Sequence, residues 1–315
     1  MNKKIYREFC SKEASLPVFI NDWWLDAVCG ESNWDVVLVQ KENSVVGALP
    51  YFRVKKGFYK GMALPPLTPH LGPYIAYPEN QKYSSRLSWE KEIMEQLIGG
   101  LPAFDFYISA FPPSLTNWLP FYWKGFLQAT KYTYVLDDLS EPDLLAANFS
   151  HEKRKNLKRA SQLLSLHTDF TADQFYDHHQ ASLAKTGQKI NYSRELFRNL
   201  ANAAIARESG RIVYATDKDN IIHSALFVVW DSQYGYNLVS TIDPAYRSSG
   251  SIALLIRDTI FHLSSLTKGF DFEGSMIENV ETSFRHYGTK QVPYFKIMKY
   301  NPMILRIIKG FRHSI

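Results

Sequence analysis

The sequence predicts an α/β protein in which mixed sheets are flanked by helices and one arrangement of elements is used twice. Three observations lead there. An apolar FDF segment occurs at Phe104–Phe106 and again at Phe270–Phe272. Each copy is preceded by a pair of strands around a tight turn, then another strand and a helix. Each is followed by a helix and a further strand. Strands alternating with helices inside an otherwise antiparallel order imply a mixed sheet covered by helices.

In the first half, a helix over about Val18–Val28 precedes strands Trp34–Gln40 and Ser44–Val54, which turn at Lys41-Glu42-Asn43. A Pro-rich loop leads to a strand over Leu71–Tyr77 and a helix over Ser84–Leu97, ended by Gly99-Gly100. After the first FDF segment come a helix and a strand at Tyr132–Leu136. In the second half, a helix over Arg194–Arg207 starts at a Ser193 cap and stops at Gly210. Strands Arg211–Thr216 and Ile221–Trp230 turn at Asp217-Lys218-Asp219-Asn220. Then follow a strand at Tyr234–Ile242, a helix over Ser249–Leu266, the second FDF strand, a helix, and a strand at Pro293–Tyr300. The implied division is a domain at 1–140, a helical connection at 141–168 and a second domain at 169–315. A helix within 301–315 is expected to pack back on the first domain.

A chain of 315 residues, 45% hydrophobic and 21% charged, is long enough for two cores and has no disordered bias. Its 20 Phe, 19 Tyr and 7 Trp exceed what cores need and suit the walls of a long organic substrate. The net charge of +5 suits an anionic partner such as a coenzyme, a nucleotide-linked sugar, tRNA or a phospholipid. DNA is not expected. Cys10 and Cys29 form neither a metal spacing nor a disulfide framework, which fits a reducing cytoplasm. No signal peptide or membrane-length apolar run is present, so a cytoplasmic protein is expected. Pro302–Ile315 carries Ile304, Ile307, Ile308 and Phe311 at helical spacing among basic residues. That segment either docks on the protein or lies on the inner face of an anionic membrane.

Four segments carry a family resemblance: RKNLKRA (Arg154–Ala160), IDPAYRSSGSIALLIRDTI (Ile242–Ile260), DFEGSM (Asp271–Met276) and FRHYGT (Phe284–Thr289). With the duplicated element order they resemble the FemAB-like acyltransferases, whose fold is two GNAT-like domains in tandem. That family includes the peptidoglycan bridge-forming peptidyltransferases of the bacterial cell envelope. The resemblance implies transfer of an acyl or aminoacyl group to an amine in a cleft between the domains. The donor would be acyl-CoA, with aminoacyl-tRNA as the alternative. The long coiled-coil arm of some tRNA-dependent members is not evident here.

Glu273, at the polar end of the second FDF strand, is the candidate general base, because an attacking amine must lose a proton. The first copy has Tyr107 at the aligned position. The alternative for Glu273 is structural: a helix cap, or a salt bridge to Arg285. Tyr287 is the candidate for protonating the leaving group, or else a packing residue. Arg247, Ser248, Ser249, Gly250 and Ser251 lie between a strand and a helix, where small residues and free N–H groups receive a pyrophosphate. Ile252 departs from that pattern, and Ser249 would also serve as an ordinary N-cap. Candidate acceptor-binding residues are Arg53, His70, Tyr74, Arg154, Lys155 and Arg285. Arg154 and Lys155 belong to a basic run over 150–159, and His70 and Tyr74 to a proline-stiffened loop. No metal site, nucleophilic Ser or Cys motif, or Walker loop is present. A non-catalytic protein that holds an anionic cell-wall or lipid precursor is the competing reading.

Overall fold

The computed structural model describes residues 2–274 and 276–301. The expected terminal helix and the expected turn at Ser275 lie outside the described residues. In chain order the elements are α1 (Asn2–Cys10), α2 (Asp22–Cys29), β1 (Trp34–Lys41), β2 (Ser44–Lys56), β3 (Tyr59–Ala63), β4 (Tyr74–Ile75) and α3 (Tyr83–Gly99). They continue with β5 (Phe106–Ala110), α4 (Leu119–Trp123), β6 (Leu127–Leu136), α5 (Pro142–Ala147), α6 (His151–Leu163), β7 (Ser165–His167) and α7 (Ala172–Ala184). The remainder is α8 (Arg194–Ile205), β8 (Gly210–Thr216), β9 (Ile222–Trp230), β10 (Tyr234–Ile242), α9 (Ser251–Leu263), β11 (Gly269–Asp271), α10 (Glu278–Arg285) and β12 (Lys290–Tyr300). No helix among the described residues is long and apolar enough to cross a membrane.

Local chemistry accounts for the helix starts. The Ser150 hydroxyl accepts the Lys153 N–H at the head of α6, and Ser193 does the same for Leu196 at α8. Thr171 and Gln174 form a reciprocal capping box at α7. Two sequence expectations shift. The strand expected over Leu71–Tyr77 shrinks to Tyr74–Ile75, because Pro73 has no N–H to offer a ladder. The helix expected from Ser249 starts at Ser251, after a 3-10 turn over Pro244–Ser249 and a left-handed Gly250 at φ +82°.

The chain forms two compact units, one of residues up to Lys131 plus the strand from Pro293, the other Tyr132–Val292. The sequential division at 140 and 168 does not follow these units. In the first, the strands run β1-β2-β3-β5-β12, with β4 also on β2. In the second they run β7-β8-β9-β10-β11-β6. In each, the FDF strand has a parallel neighbour on one side (β3 for β5, β10 for β11) and an antiparallel one on the other (β12 for β5, β6 for β11). The strand that closes each sheet comes from the other half of the chain. Buried Leu49, Ile93, Leu97, Phe111 and Ile297 anchor the first core, and Leu226, Leu255, Leu263 and Phe270 the second.

The register refines the internal repeat. Gly61 lies opposite Phe106, and Gly235 opposite Phe270. A Cβ on Gly61 would sit 2.6 Å from the Phe106 ring, and one on Gly235 3.2 Å from that of Phe270. With these pairs as equivalent positions, the copies are offset by two residues from the FDF alignment. Tyr107 then corresponds to Asp271, and the counterpart of Glu273 is Ser109.

Residues 132–292 contain β7 to β11 and the part of β6 that pairs with β11, whereas residues 1–140 lack β12 and with it the buried Ile297. A 132–292 fragment is expected to melt cooperatively by circular dichroism. A 1–140 fragment is expected to fold only when a 293–301 peptide is supplied. Cooperative melting of 1–140 alone would refute the role of β12.

Candidate active site

The site in the second unit is created where two strands part. β10 and β11 pair only over Tyr234–Tyr236 and Gly269–Asp271. β10 then runs on to Ile242 against β9, with an irregularity between Tyr236 and Val239. β11 stops, although the Phe272 N–H still donates to the Tyr134 carbonyl of β6 at 2.9 Å. Glu273 follows at once, with φ +55°, a backbone state that non-glycine residues adopt rarely and at a cost.

Three groups hold it there. The Glu273 N–H donates to Asp271 Oδ1 at 2.8 Å. The Thr133 hydroxyl donates to the same oxygen and accepts the Gly274 N–H at 2.9 Å. Gly274 can be nothing larger, since a Cβ would lie 2.1 Å from the Tyr132 carbonyl oxygen. Asp271 and Thr133 were not singled out from the sequence. Asp271 was visible in FDFEG as a second acid two residues before Glu273, whereas nothing local marks Thr133.

Burial dominates the electrostatics. Desolvation pushes the Asp271 carboxyl up from its ordinary 3.8 to about 6, against the pull of the Thr133 hydroxyl and the Glu273 N–H. Desolvation, and then the charge of Asp271, raise the Glu273 carboxyl well above its ordinary value. Glu273 Oε1 is sealed from solvent and has no hydrogen-bond partner among the described residues. The structural alternative of an Arg285 salt bridge is not what forms: Arg285 is exposed and approaches Glu281 at 3.9 Å.

Tyr287 stacks on Phe272, the residue before Glu273, with ring centroids 5.1 Å apart. Phe149 meets it edge-on at 5.0 Å, and Lys153 Nζ lies 4.3 Å from the ring centre while donating to Ser283 Oγ at 2.9 Å. Tyr287 is 1% exposed, and its hydroxyl has no partner among the described residues. Burial raises its pKa, so the phenol keeps its proton. Burial also lowers that of Lys153.

At the expected donor loop, Ser249 Oγ accepts the Ser251 N–H at 3.2 Å, capping α9 from within the chain. Gly250 is pressed against α6, and a Cβ there would lie 2.4 Å from the Asn156 carbonyl oxygen. Gly250 is therefore a packing requirement, and a bulky side chain at that position disturbs the fold itself. Ser248 and Ser249 instead line a cavity of about 540 Å³ with Arg159, Lys218, His223 and Tyr246. The His223 ring stacks on Tyr246 at 4.0 Å and its Nε2 lies 3.2 Å from Asp217 Oδ2. Arg247 stands in the 3-10 turn that precedes this loop.

The acceptor candidates divide between the units, with Arg53, His70 and Tyr74 in the first and Arg154, Lys155 and Arg285 in the second. Arg154 donates to the Ala147 and Phe149 carbonyls at 2.8 and 2.5 Å, tying down the end of α5, while Lys155 is exposed. In the first unit, His70 is 6% exposed, packs edge-on against Phe19 at 4.8 Å, and is pushed by burial down to about 3. It is a neutral core residue. Tyr74 is half-buried beside Phe9. Arg53 lines a separate cavity of the first unit and approaches Asp35 at 3.4 Å.

The raised carboxyls make a prediction about stability. A carboxyl whose folded pKa exceeds its unfolded one contributes fully below the unfolded value and is lost as pH rises through the folded value. Asp271 alone should cost on the order of 3 kcal/mol between pH 4 and 7. Urea denaturation at both pH values should show the wild type losing more stability than Asp271→Asn. Parallel losses would overturn the assignment.

Residues 147–273 match a family model described as an acetyltransferase (GNAT) domain, and the match ends at Glu273. No curated protein sequence matches the chain. The crystal structure of FemX superposes with a TM-score of 0.68 at 11% identity, covering 94% of this chain and 96% of that one. The C-terminal domain of a putative lysylphosphatidylglycerol synthetase from Agrobacterium fabrum gives 0.56 at 11%, covering 99% and 96%. L-PGS from Bacillus licheniformis gives 0.54 at 9%, covering 98% and 95%. The chain thus shares the mixed α/β fold of the FemX structure, and residues 147–273 carry an acetyltransferase (GNAT) domain.

Proposed function

We propose that the second unit is an N-acyltransferase in which Glu273 takes the proton of the attacking amine. The observation that carries this reading is a half-buried glutamate, one carboxyl oxygen without a hydrogen-bond partner among the described residues, on a strained backbone where two strands diverge. The amine nitrogen attacks the acyl carbonyl carbon, a C–N bond forms, and the bond to the donor's sulfur or oxygen breaks. The proton lost by nitrogen goes to the Glu273 carboxylate, and the leaving thiolate or alkoxide is protonated in turn. Tyr287 is the candidate for that second transfer to an alkoxide, whereas a thiolate, too weak a base for a phenol whose pKa burial raises, takes its proton from solvent. Asp271 and Thr133 position Glu273, and the charge of Asp271 makes it a stronger base than an isolated glutamate.

The donor class that fits a GNAT-type fold is acyl-CoA, with aminoacyl-tRNA as the alternative, and the acceptor is an amine on a soluble or lipid-linked anionic molecule. Arg247, Ser248 and Ser249 are the donor-loop residues retained in this reading, and Ser248 and Ser249 share their cavity with the cations Arg159 and Lys218 and the acids Asp217 and Asp219. A second reading is a non-catalytic protein that holds an anionic cell-wall or lipid precursor. The close contact of Asn156 with Gly250 favours it, because α6 narrows the approach to the loop.

A panel of acyl-CoAs and aminoacyl-tRNAs with amine acceptors, read by mass spectrometry, separates the two. Glu273→Gln is expected to cut turnover by roughly 10²–10⁴ with donor affinity nearly unchanged. Wild-type turnover should rise with pH through the raised pKa of Glu273. Full turnover in a folded Gln variant would remove Glu273 from the chemistry, and binding without any turnover in the wild type would leave the second reading.

A further inference from the structure

The tip of the β2–β3 hairpin holds positive charges that no ion pair among the described residues neutralises. Lys55 and Lys60 are register partners across the hairpin, and like charges directly opposite one another repel. Both are exposed, as is Lys56. Among the described residues none of the three forms an ion pair, and the nearest acids are otherwise engaged. Asp35 approaches Arg53 at 3.4 Å, and Asp105 accepts the Lys60 backbone N–H and the Asn301 side chain. Strand alternation puts Arg53 and Lys55 on one face. Together with Lys60 they line a cavity of about 540 Å³ that also includes Ser32 and Asn33. Three cations and two small polar side chains around one concavity suit a phosphate group.

Phe58 identifies which phosphate. It stands at the apex of the same turn, 103% exposed, beside the left-handed Gly57. A soluble anion gives such a ring nothing to bury against, whereas a bilayer offers acyl chains just below a layer of phosphates. A basic patch with an apolar wedge is the pair of signals that reversible membrane attachment needs.

We propose that this hairpin docks the protein on an anionic phospholipid surface, with Phe58 entering the acyl-chain boundary and Arg53, Lys55 and Lys60 around a lipid phosphate. The inference stands on the first unit alone and does not depend on the acyl-transfer reading.

Co-sedimentation of the full chain with vesicles of phosphatidylcholine, with and without phosphatidylglycerol, tests it. Binding should require phosphatidylglycerol and weaken with added salt. Lys55→Ala with Lys60→Ala should weaken binding by about 25-fold, at about fivefold per lysine. Phe58→Ser should weaken it by about tenfold. Inorganic phosphate serves as the soluble arm, and its affinity should fall in the lysine variant but not in Phe58→Ser. Melting temperatures should not fall below the wild-type value, since all three side chains are exposed and removing the opposed lysines relieves their repulsion. The proposal is overturned if anionic vesicles do not bind, if Phe58→Ser binds them like the wild type, or if a short RNA binds through the same lysines while vesicles do not.

Discussion

The pairing of β6 with β11 is the constraint on which the candidate site depends. β11 is short, and its parallel contact with β10 lasts only three residues. Its other edge is fixed by Leu136 and Val135 opposite Phe270 and Asp271, and by the Tyr134 carbonyl accepting the Phe272 N–H. Because that ladder places Thr133 beside the end of β11, one hydroxyl can bind both Asp271 and the Gly274 N–H. Glu273 is then held in a left-handed state that it would not choose alone.

The same arrangement explains why both acids of the site hold their protons more tightly than ordinary carboxyls. Both carboxyls are desolvated, and the charge of Asp271 adds to the cost of ionising Glu273. A hydrogen-bonded Asp271 bears the smaller shift, and the sealed Oε1 of Glu273 leaves it the larger. Packing around Phe272 carries the arrangement outward, since its ring supports Tyr287 and Phe284, and Tyr287 in turn lies under Lys153. The electrostatics of the site thus follow from its packing, with no strong ion pair at the centre.

The two units use one plan for different ends. Each sets its FDF strand between a parallel and an antiparallel neighbour, and each places a glycine opposite a phenylalanine. Where the second unit has Asp271 and Glu273, the first has Tyr107 and Ser109 at the matching register. Those side chains cannot supply a carboxylate base. The first unit's distinctive chemistry lies instead at the exposed hairpin tip.

Much of the plan was legible in the sequence. The hairpins, α3, α8 and β10 follow from alternation, turn residues and caps that act over a few neighbours, so local sequence determines them. The place of Glu273 in the chain was legible for the same reason, as an acid that closes the FDF strand before a glycine. Tertiary structure decided the rest, because it joins residues that sequence keeps far apart. It brought Thr133 to Asp271 across 138 positions, gave β12 to the first unit and took His70 into a core. It also turned Gly250 toward Asn156. Each of these depends on which strand or helix becomes a neighbour, and periodicity within a segment carries no information about that choice.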